Sequence, residues 1–314
     1  MTRVVLLSEV NSKFGAPILA RLLANPQVTV AAVVTSPAGK LCDYYLDEPE
    51  PVDLAAMGAE AGVPVMRPPK VNRDTLIAQL AAQRPDYFII GNYQQILGER
   101  LLDVPEIGTV NFHPSPLPRY AGLAPFFWMA KNNERQGGVS AVWTTAGIDA
   151  GPLVAQRLLP MAGTETAAEI RKLHFEASWD LFDEVLPTLI DRSYRLTPQD
   201  VSQRTYYGHP EDPDRQVELT APSSQVLGTI RACAPSPGAE VHTRAGLTVR
   251  VLDAEPIDRA PVIPSPRPGE LYQADRDLVG RTADGWLRIT GVSLADGGLA
   301  YRIDQPAKEP VRVG

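Results

Sequence analysis

Through roughly residue 185 the chain alternates short apolar runs with segments of helical period, and this alternation restricts its fold more than any other feature. Val4–Ser8, Val28–Val34, Val63–Met66, Tyr87–Ile90 and Val110–His113 read as strands, bounded by turn residues or proline. Ala16–Leu23 carries Ile18, Leu19, Leu22 and Leu23 on one helical face, and Val52–Gly62 and Asp74–Gln83 read as further helices. Val139–Thr144 and Leu153–Leu158 continue the strand pattern. Glu165–Leu186 is the strongest predicted helix, with Thr164 as its cap. Such alternation predicts an α/β, Rossmann-like fold: a mostly parallel sheet covered by helices on both faces. Ligands bind these sheets beyond the carboxyl ends of the strands, which directs attention to Gly91–Tyr93 and Asn111–His113.

After about residue 190 the texture changes. Residues 196–222 are polar and contain several prolines, as a surface linker would. Ser223–Cys233 reads as a short helix capped by Ser223 or Ser224. Leu247–Leu252, Leu271–Tyr272, Leu287–Ile289 and Leu299–Ile303 are short runs separated by Gly, Pro and Asp turns, which predicts a small β-barrel or sandwich. The expected organisation is a larger domain over 1–190, a linker over 191–222 and a smaller β domain over 223–314.

Composition narrows the function. No run of about 18 apolar residues is present, which argues against a membrane span. Glu9, Asn11 and Lys13 interrupt the apolar start, so it reads as a first strand rather than a leader. Cys42 and Cys233 are the only cysteines, too few for a disulfide framework or a metal cluster, and a cytoplasmic protein is expected. The net charge is −7, without the basic footprint of a protein that grips nucleic acid. The G-x-G-x-x-G turn of nicotinamide enzymes does not follow the first strand.

Two segments carry chemistry. Asn111 and His113 stand two apart on a predicted strand end, so their side chains share a face. One brings an amide donor; the other is the residue type that titrates nearest neutrality. Pro105, Pro114, Pro116 and Pro118 stiffen the chain around them. Farther on, Gly147 and Gly151 bracket Asp149 in apolar surroundings. A carboxylate there is costly to bury alone, and a histidine partner removes that cost. By position alone the same residues also read as loop anchors and an ordinary turn aspartate.

The run Asn111-Phe-His113-Pro-Ser-Pro-Leu-Pro-Arg-Tyr-Ala-Gly122 resembles the signature N-x-H-P-S-L-L-P-x-Y-R-G of the 10-formyltetrahydrofolate-dependent formyltransferases. Gly147-Ile-Asp149-Ala-Gly151 resembles that family's downstream L-D-x-G segment. The likeness spans roughly residues 1–190. It extends more weakly to Pro235-Ser-Pro-Gly-Ala, Pro268-Gly-Glu-Leu and Asp284-Gly-Trp-Leu, which resemble the OB-like C-terminal domain of methionyl-tRNA and aminosugar formyltransferases. The resemblance implies an enzyme that moves a formyl group from 10-formyltetrahydrofolate to an amine without a metal. Asn111 and His113 would stabilise the oxyanion, and Asp149 would orient His113 and help take the proton of the attacking amine. It implies a donor site at Asn92, Tyr93, Gln94, Ile96, Leu97 and Gly147, where Ile96 and Leu97 read equally as an apolar wall or as ordinary core. Ser12, Lys13, Arg119 and Tyr120 are candidate acceptor contacts. The chain departs from the signature at Pro116, where the family has Leu, and at Ala121, where it has Arg.

Two acceptor classes compete. Methionyl-tRNA formyltransferases carry a basic insertion after the second strand and a basic C-terminal domain. Here residues 38–50 set Lys40 against Asp43, Asp47, Glu48 and Glu50, the wrong sign for phosphate contacts. Residues 210–314 hold 12 Lys and Arg against 15 Asp and Glu. The expected acceptor is a small-molecule amine, on a nucleotide-linked aminosugar or a specialised metabolite, with methionyl-tRNA as the alternative. Release of formate to water, and a non-catalytic folate- or partner-binding role, are the readings of other classes. An acidic β domain also suits a lid or a homodimer contact.

Overall fold

The computed structural model describes residues 1–42, 51–242, 248–274, 276–294 and 301–302. Asp43, Asp47, Glu48 and Glu50 of the acidic loop lie outside the described residues, as do positions 299, 300 and 303 of the last predicted run.

Thr2–Leu7 (β1), Val28–Val34 (β2), Val65–Met66 (β3), Tyr87–Ile90 (β4) and Gly108–His113 (β5) pair in parallel, in the order β3-β2-β1-β4-β5. Helices Gly15–Ala24 (α1), Leu54–Glu60 (α2), Asp74–Ala82 (α3) and Glu99–Leu102 (α4) lie in the crossovers. The inner stretches of these strands are largely apolar because helices cover both faces; all four residues of β4 are buried. Leu76 and Leu80 of α3 join Val5, Leu7, Phe88 and Ile90 in one core cluster. Beyond the two-residue strand Ala121–Gly122 (β6) and the helix Pro125–Lys131 (α5), the strands Gln136–Trp143 (β7) and Leu153–Pro160 (β8) extend the sheet past β5, with β7 antiparallel to it. Strand order reverses at β1, which has β2 on one side and β4 on the other. That is the switch point at which such sheets open a crevice.

The chain then forms Ala167–Ile190 (α6), the short strand Tyr206–Tyr207 (β9), one turn of helix at Asp212–Arg215 (α7) and Ser223–Cys233 (α8). Ala239–His242 (β10), Thr248–Pro256 (β11), Glu270–Ala274 (β12), Asp277–Arg281 (β13) and Trp286–Leu294 (β14) make an antiparallel sheet ordered β10-β11-β14-β13-β12, with Tyr301–Arg302 (β15) beside β14. This is the expected smaller β domain. Two compact units interleave along the chain: residues 1–122, 138–159 and 174–206 form one, and residues 123–137, 160–173 and 207–314 the other. Within the second unit α5 packs on α8 so closely that a Cβ at Gly228 would lie 2.3 Å from the Lys131 carbonyl oxygen.

Two helix caps correct the sequence reading. The long helix α6 starts at Ala167 because Thr166 and Glu169 form a capping box. The Thr166 N–H donates to Glu169 Oε2 at 2.8 Å, and the Glu169 N–H donates to Thr166 Oγ1 at 3.2 Å. Thr164 instead gives its N–H to the Glu165 carboxylate. On α8 neither serine is the cap; Pro222 holds that position. The Ser223 N–H and hydroxyl both reach Asp284 Oδ1 at 2.8 Å, so an acid from the β sheet meets the helix start.

Thr166→Ala removes the capping box and is expected to lower stability by about 1 kcal/mol. Urea unfolding followed by circular dichroism reads this as a lower midpoint; an unchanged midpoint would contradict the assignment.

Candidate active site

The sheet register fixes where the site lies. Leu7 is level with Ile90, and Ile90 with Asn111. Two residues farther along, Glu9, Asn92 and His113 stand at the carboxyl edge of three adjacent strands, about 10 Å from first to last at two strand spacings. The Glu9 N–H donates to the Asn92 carbonyl at 2.8 Å, which carries the alignment past the strand ends. Pro114, having no N–H, follows the last residue of β5.

Asn111 and His113 share a face of β5, and Asp149 comes to them from the loop between β7 and β8. Asn111 Nδ2 donates to Asp149 Oδ1 at 3.4 Å, and His113 Nδ1 lies 3.8 Å from the same oxygen. The Gly122 N–H donates to Asp149 Oδ2 at 2.8 Å. The structure thus brings together three residues that the sequence offered in two separate motifs. The side chains of His113 and Asp149 are 8% and 10% exposed, so little water competes for them. His113 Nε2 faces the Tyr120 carbonyl at 3.2 Å. A carbonyl only accepts, so Nε2 carries its proton here. Nδ1 is then the ring atom turned toward Asp149.

The loops that build this cluster are held in uncommon conformations. Asp149 has φ +48°, Tyr120 φ +57° and Asn92 φ +61°. Residues other than glycine keep such angles only where their surroundings enforce them. Gly151 is required by packing: a Cβ there would lie 1.7 Å from the Trp143 carbonyl oxygen.

The other predicted residues divide. Tyr120 is buried and offers its backbone carbonyl to His113. The Arg119 guanidinium carbon lies 6.0 Å from the Tyr120 ring centroid. Ser12 is buried, and its Oγ accepts from the Gly15 N–H at 2.9 Å and from Asn92 Nδ2 at 3.4 Å. Lys13 follows it, half-buried. Tyr93 packs against the core cluster that contains Leu97, so Leu97 is ordinary core, while Ile96 is 66% exposed. Burial, and then the charge of Glu9, push the Tyr93 phenol above its usual range. The Gln94 N–H donates to Glu9 Oε1 at 2.9 Å. Gly147 is exposed in the turn before Asp149.

Several neighbours left no mark in the sequence. Glu9 is 2% exposed, and its Oε2 has no hydrogen-bond partner among the described residues. Gln199, Arg204 and Thr205, from the stretch read as linker, reach the site loops. A cleft of about 460 Å³ opens at the amino end of β5, with Glu99, Asp103, Thr109, Trp143, Thr144 and Thr145 in its wall. Gly108 makes room for the Trp143 ring, which a Cβ would strike at 2.0 Å. The hydroxyls of Thr109 and Thr144 are buried without hydrogen-bond partners among the described residues. Among those residues no group of three or more His, Cys, Asp or Glu could hold a metal ion, and no helix is long and apolar enough to cross a membrane.

Known proteins are similar to this chain in sequence and fold. The formyl transferase family model matches residues 1–186, and the model of the formyl transferase C-terminal domain matches residues 211–301. The methionyl-tRNA formyltransferase of Roseiflexus sp. (strain RS-1) is 31% identical over 311 residues, covering 98% of this chain and 90% of that protein. The methionyl-tRNA formyltransferase of Thermotoga neapolitana is 30% identical over 265 residues, covering 84% of this chain and 82% of that one. The N-formyltransferase from Helicobacter canadensis, solved in complex with folinic acid and dTDP-3-aminofucose, superposes with a TM-score of 0.68 at 16% identity, covering 92% of this chain and 99% of that one. The chain belongs to the formyl transferase family.

Its two departures from the family signature have packing reasons. Ala121 is fully buried beside Leu117, Val142 and the partly buried Leu153. Pro116 is buried over Gly138, where a Cβ would approach the Pro116 Cβ to 2.9 Å. Ala121→Arg, which restores the signature residue, is therefore expected to destabilise the protein by about 2–3 kcal/mol through overpacking and a buried charge. Thermal unfolding measures this; a melting temperature equal to wild type would show that the pocket around Ala121 opens freely.

Proposed function

We propose that this formyltransferase moves the formyl group of 10-formyltetrahydrofolate onto the amine of a small molecule, with Asn111, His113 and Asp149 carrying the chemistry. The observation behind this reading is the convergence of an amide, an imidazole and a carboxylate on one point at the carboxyl edge of the sheet. The donor contacts that this reading expects are Asn92, Tyr93, Gln94, Ile96 and Leu97, in the segment that follows β4, and Gly147, in the turn before Asp149.

The reaction then follows from the geometry. A neutral amine attacks the formyl carbon, a C–N bond forms, and the carbonyl electron pair moves to oxygen. The Asn111 amide stabilises that oxygen, joined by His113 Nδ1 once the ring has taken up a proton. The proton released by the attacking nitrogen passes to Asp149, directly or through His113 Nδ1. As the bond to N10 breaks, N10 takes the proton back. The products are a formamide and tetrahydrofolate, with no net proton exchanged.

Charge favours a small acceptor. Lys40 is the only cation in residues 38–50, which carry four acids, and residues 210–314 are acidic on balance. A tRNA acceptor stem needs cations at its phosphates. The near full-length likeness to methionyl-tRNA formyltransferases favours tRNA as the second reading. The structural likeness to a protein that holds a nucleotide-linked aminosugar favours the first.

Asn111→Ala is expected to lower turnover about 100- to 1000-fold while binding of 5-formyltetrahydrofolate is kept, since the lost donor acts on the developing oxyanion. Tetrahydrofolate release with dTDP-linked aminosugars and simple metabolite amines measures turnover, and calorimetry measures binding. Less than a tenfold loss, or no folate binding by the wild-type protein, would contradict the proposal. Formate release without any amine would mark a hydrolase instead.

A further inference from the structure

The segment 199–205 joins the two loops of the site. Gln199 Nε2 donates to the carbonyls of Asp149 at 2.9 Å and Gly151 at 2.7 Å. Arg204 Nη2 donates to the Ile148 carbonyl at 2.7 Å, and Nη1 lies 3.4 Å from the Asp149 carbonyl. The next residue serves the other loop. Thr205 Oγ1 accepts from the Tyr120 N–H at 2.8 Å, and the Thr205 carbonyl accepts from the Ala121 N–H at 3.0 Å. The Thr205 N–H donates to the Pro118 carbonyl at 3.2 Å.

Between these residues the backbone makes one tight 3-10 turn, Val201–Gln203. Asp200 caps it, accepting from the Ser202 hydroxyl at 2.7 Å, the Gln203 amide at 2.9 Å and the Ser202 N–H at 3.1 Å. The Ser202 hydroxyl, followed by these other donors, holds the Asp200 carboxyl below its usual range. The capped turn sets the spacing that lets Gln199 and Arg204 reach one loop together.

We propose that Gln199, Arg204 and Thr205 are positioning residues for formyl transfer, a splint that holds Asp149 against Asn111 and His113. Asp149 and Tyr120 both have φ in the left-handed region, and a free loop would relax from it. The carbonyls that would turn away are those the splint engages. Gln199 donates from the same nitrogen to two of them while its Oε1 stays buried without a hydrogen-bond partner among the described residues. That is a cost with no place in a simple connector. The second loop matters equally, because it brings Gly122 to Asp149 Oδ2 and the Tyr120 carbonyl to His113 Nε2. Only the activity readout of this inference rests on the formyl-transfer reading; the geometry stands without it.

The test uses the full chain with Gln199→Ala/Arg204→Ala, Arg204→Lys and Thr205→Val. In crystals of the double variant, Asp149 is expected to leave hydrogen-bond reach of Asn111, with Asn111 and His113 themselves unmoved. Turnover, read as tetrahydrofolate release from 10-formyltetrahydrofolate with hydroxylamine as the amine, is expected to fall about 100-fold in the double variant and about tenfold in Thr205→Val, one hydrogen bond being worth about a factor of ten. Binding of 5-formyltetrahydrofolate should change less than twofold, and Arg204→Lys should recover most of the rate lost on removing Arg204. If Asp149 keeps its place in the double variant, or turnover stays within threefold, the splint is overturned. A wild-type protein that binds no folate would overturn the functional reading, and the crystals alone would then decide the splint.

Discussion

The Asp149 carboxylate collects its partners from far along the chain: Gly122, 27 residues away, at one oxygen, and Asn111, 38 residues away, at the other. A buried carboxylate is tolerated only when its oxygens are met by donors. That need ties the site's parts together. The pleat of β5 must present Asn111 and His113 on one face, the loop after it must return Gly122, and the loop after β7 must hold Asp149 in a left-handed turn. The parallel sheet supplies the level carboxyl edge on which all three meet.

Much of the first unit could be read from the sequence because buried parallel strands are nearly continuous apolar runs. Val28–Val34 and Tyr87–Ile90 begin and end in the structure where the pattern places them. The neighbourhood of Asn111, His113 and Asp149 was also readable, through strand periodicity, flanking glycines and resemblance. What escaped was non-local. Gln199 and Arg204 bond to backbone carbonyls about fifty residues away, and such bonds leave no period or motif. The same holds for the cleft wall, which gathers α4, the start of β5 and the end of β7. Local errors had local causes: Thr164 and Thr166 are both plausible caps, and only the return bond of Glu169 decides between them. Leu97 could be wall or core, a matter that depends on which neighbours the fold supplies.

Sequence similarity runs to methionyl-tRNA formyltransferases, and the fold is shared with the N-formyltransferase from Helicobacter canadensis. The proposal of a small-molecule acceptor rests instead on the chain's own charge, with Lys40 the only cation in residues 38–50 beside four acids and residues 210–314 acidic on balance. The buried alanine at position 121, where the family signature has arginine, is a difference in packing next to the loop that meets Asp149.

The most direct test is to follow the carbon itself. The protein would be supplied with 10-formyltetrahydrofolate labelled with carbon-13 in the formyl group, together with a metabolite extract and charged methionyl-tRNA in separate vessels. The account predicts a labelled formamide among the small molecules, absent with Asp149→Ala, and no label on tRNA. Label on methionyl-tRNA alone, or only in formate, would contradict it.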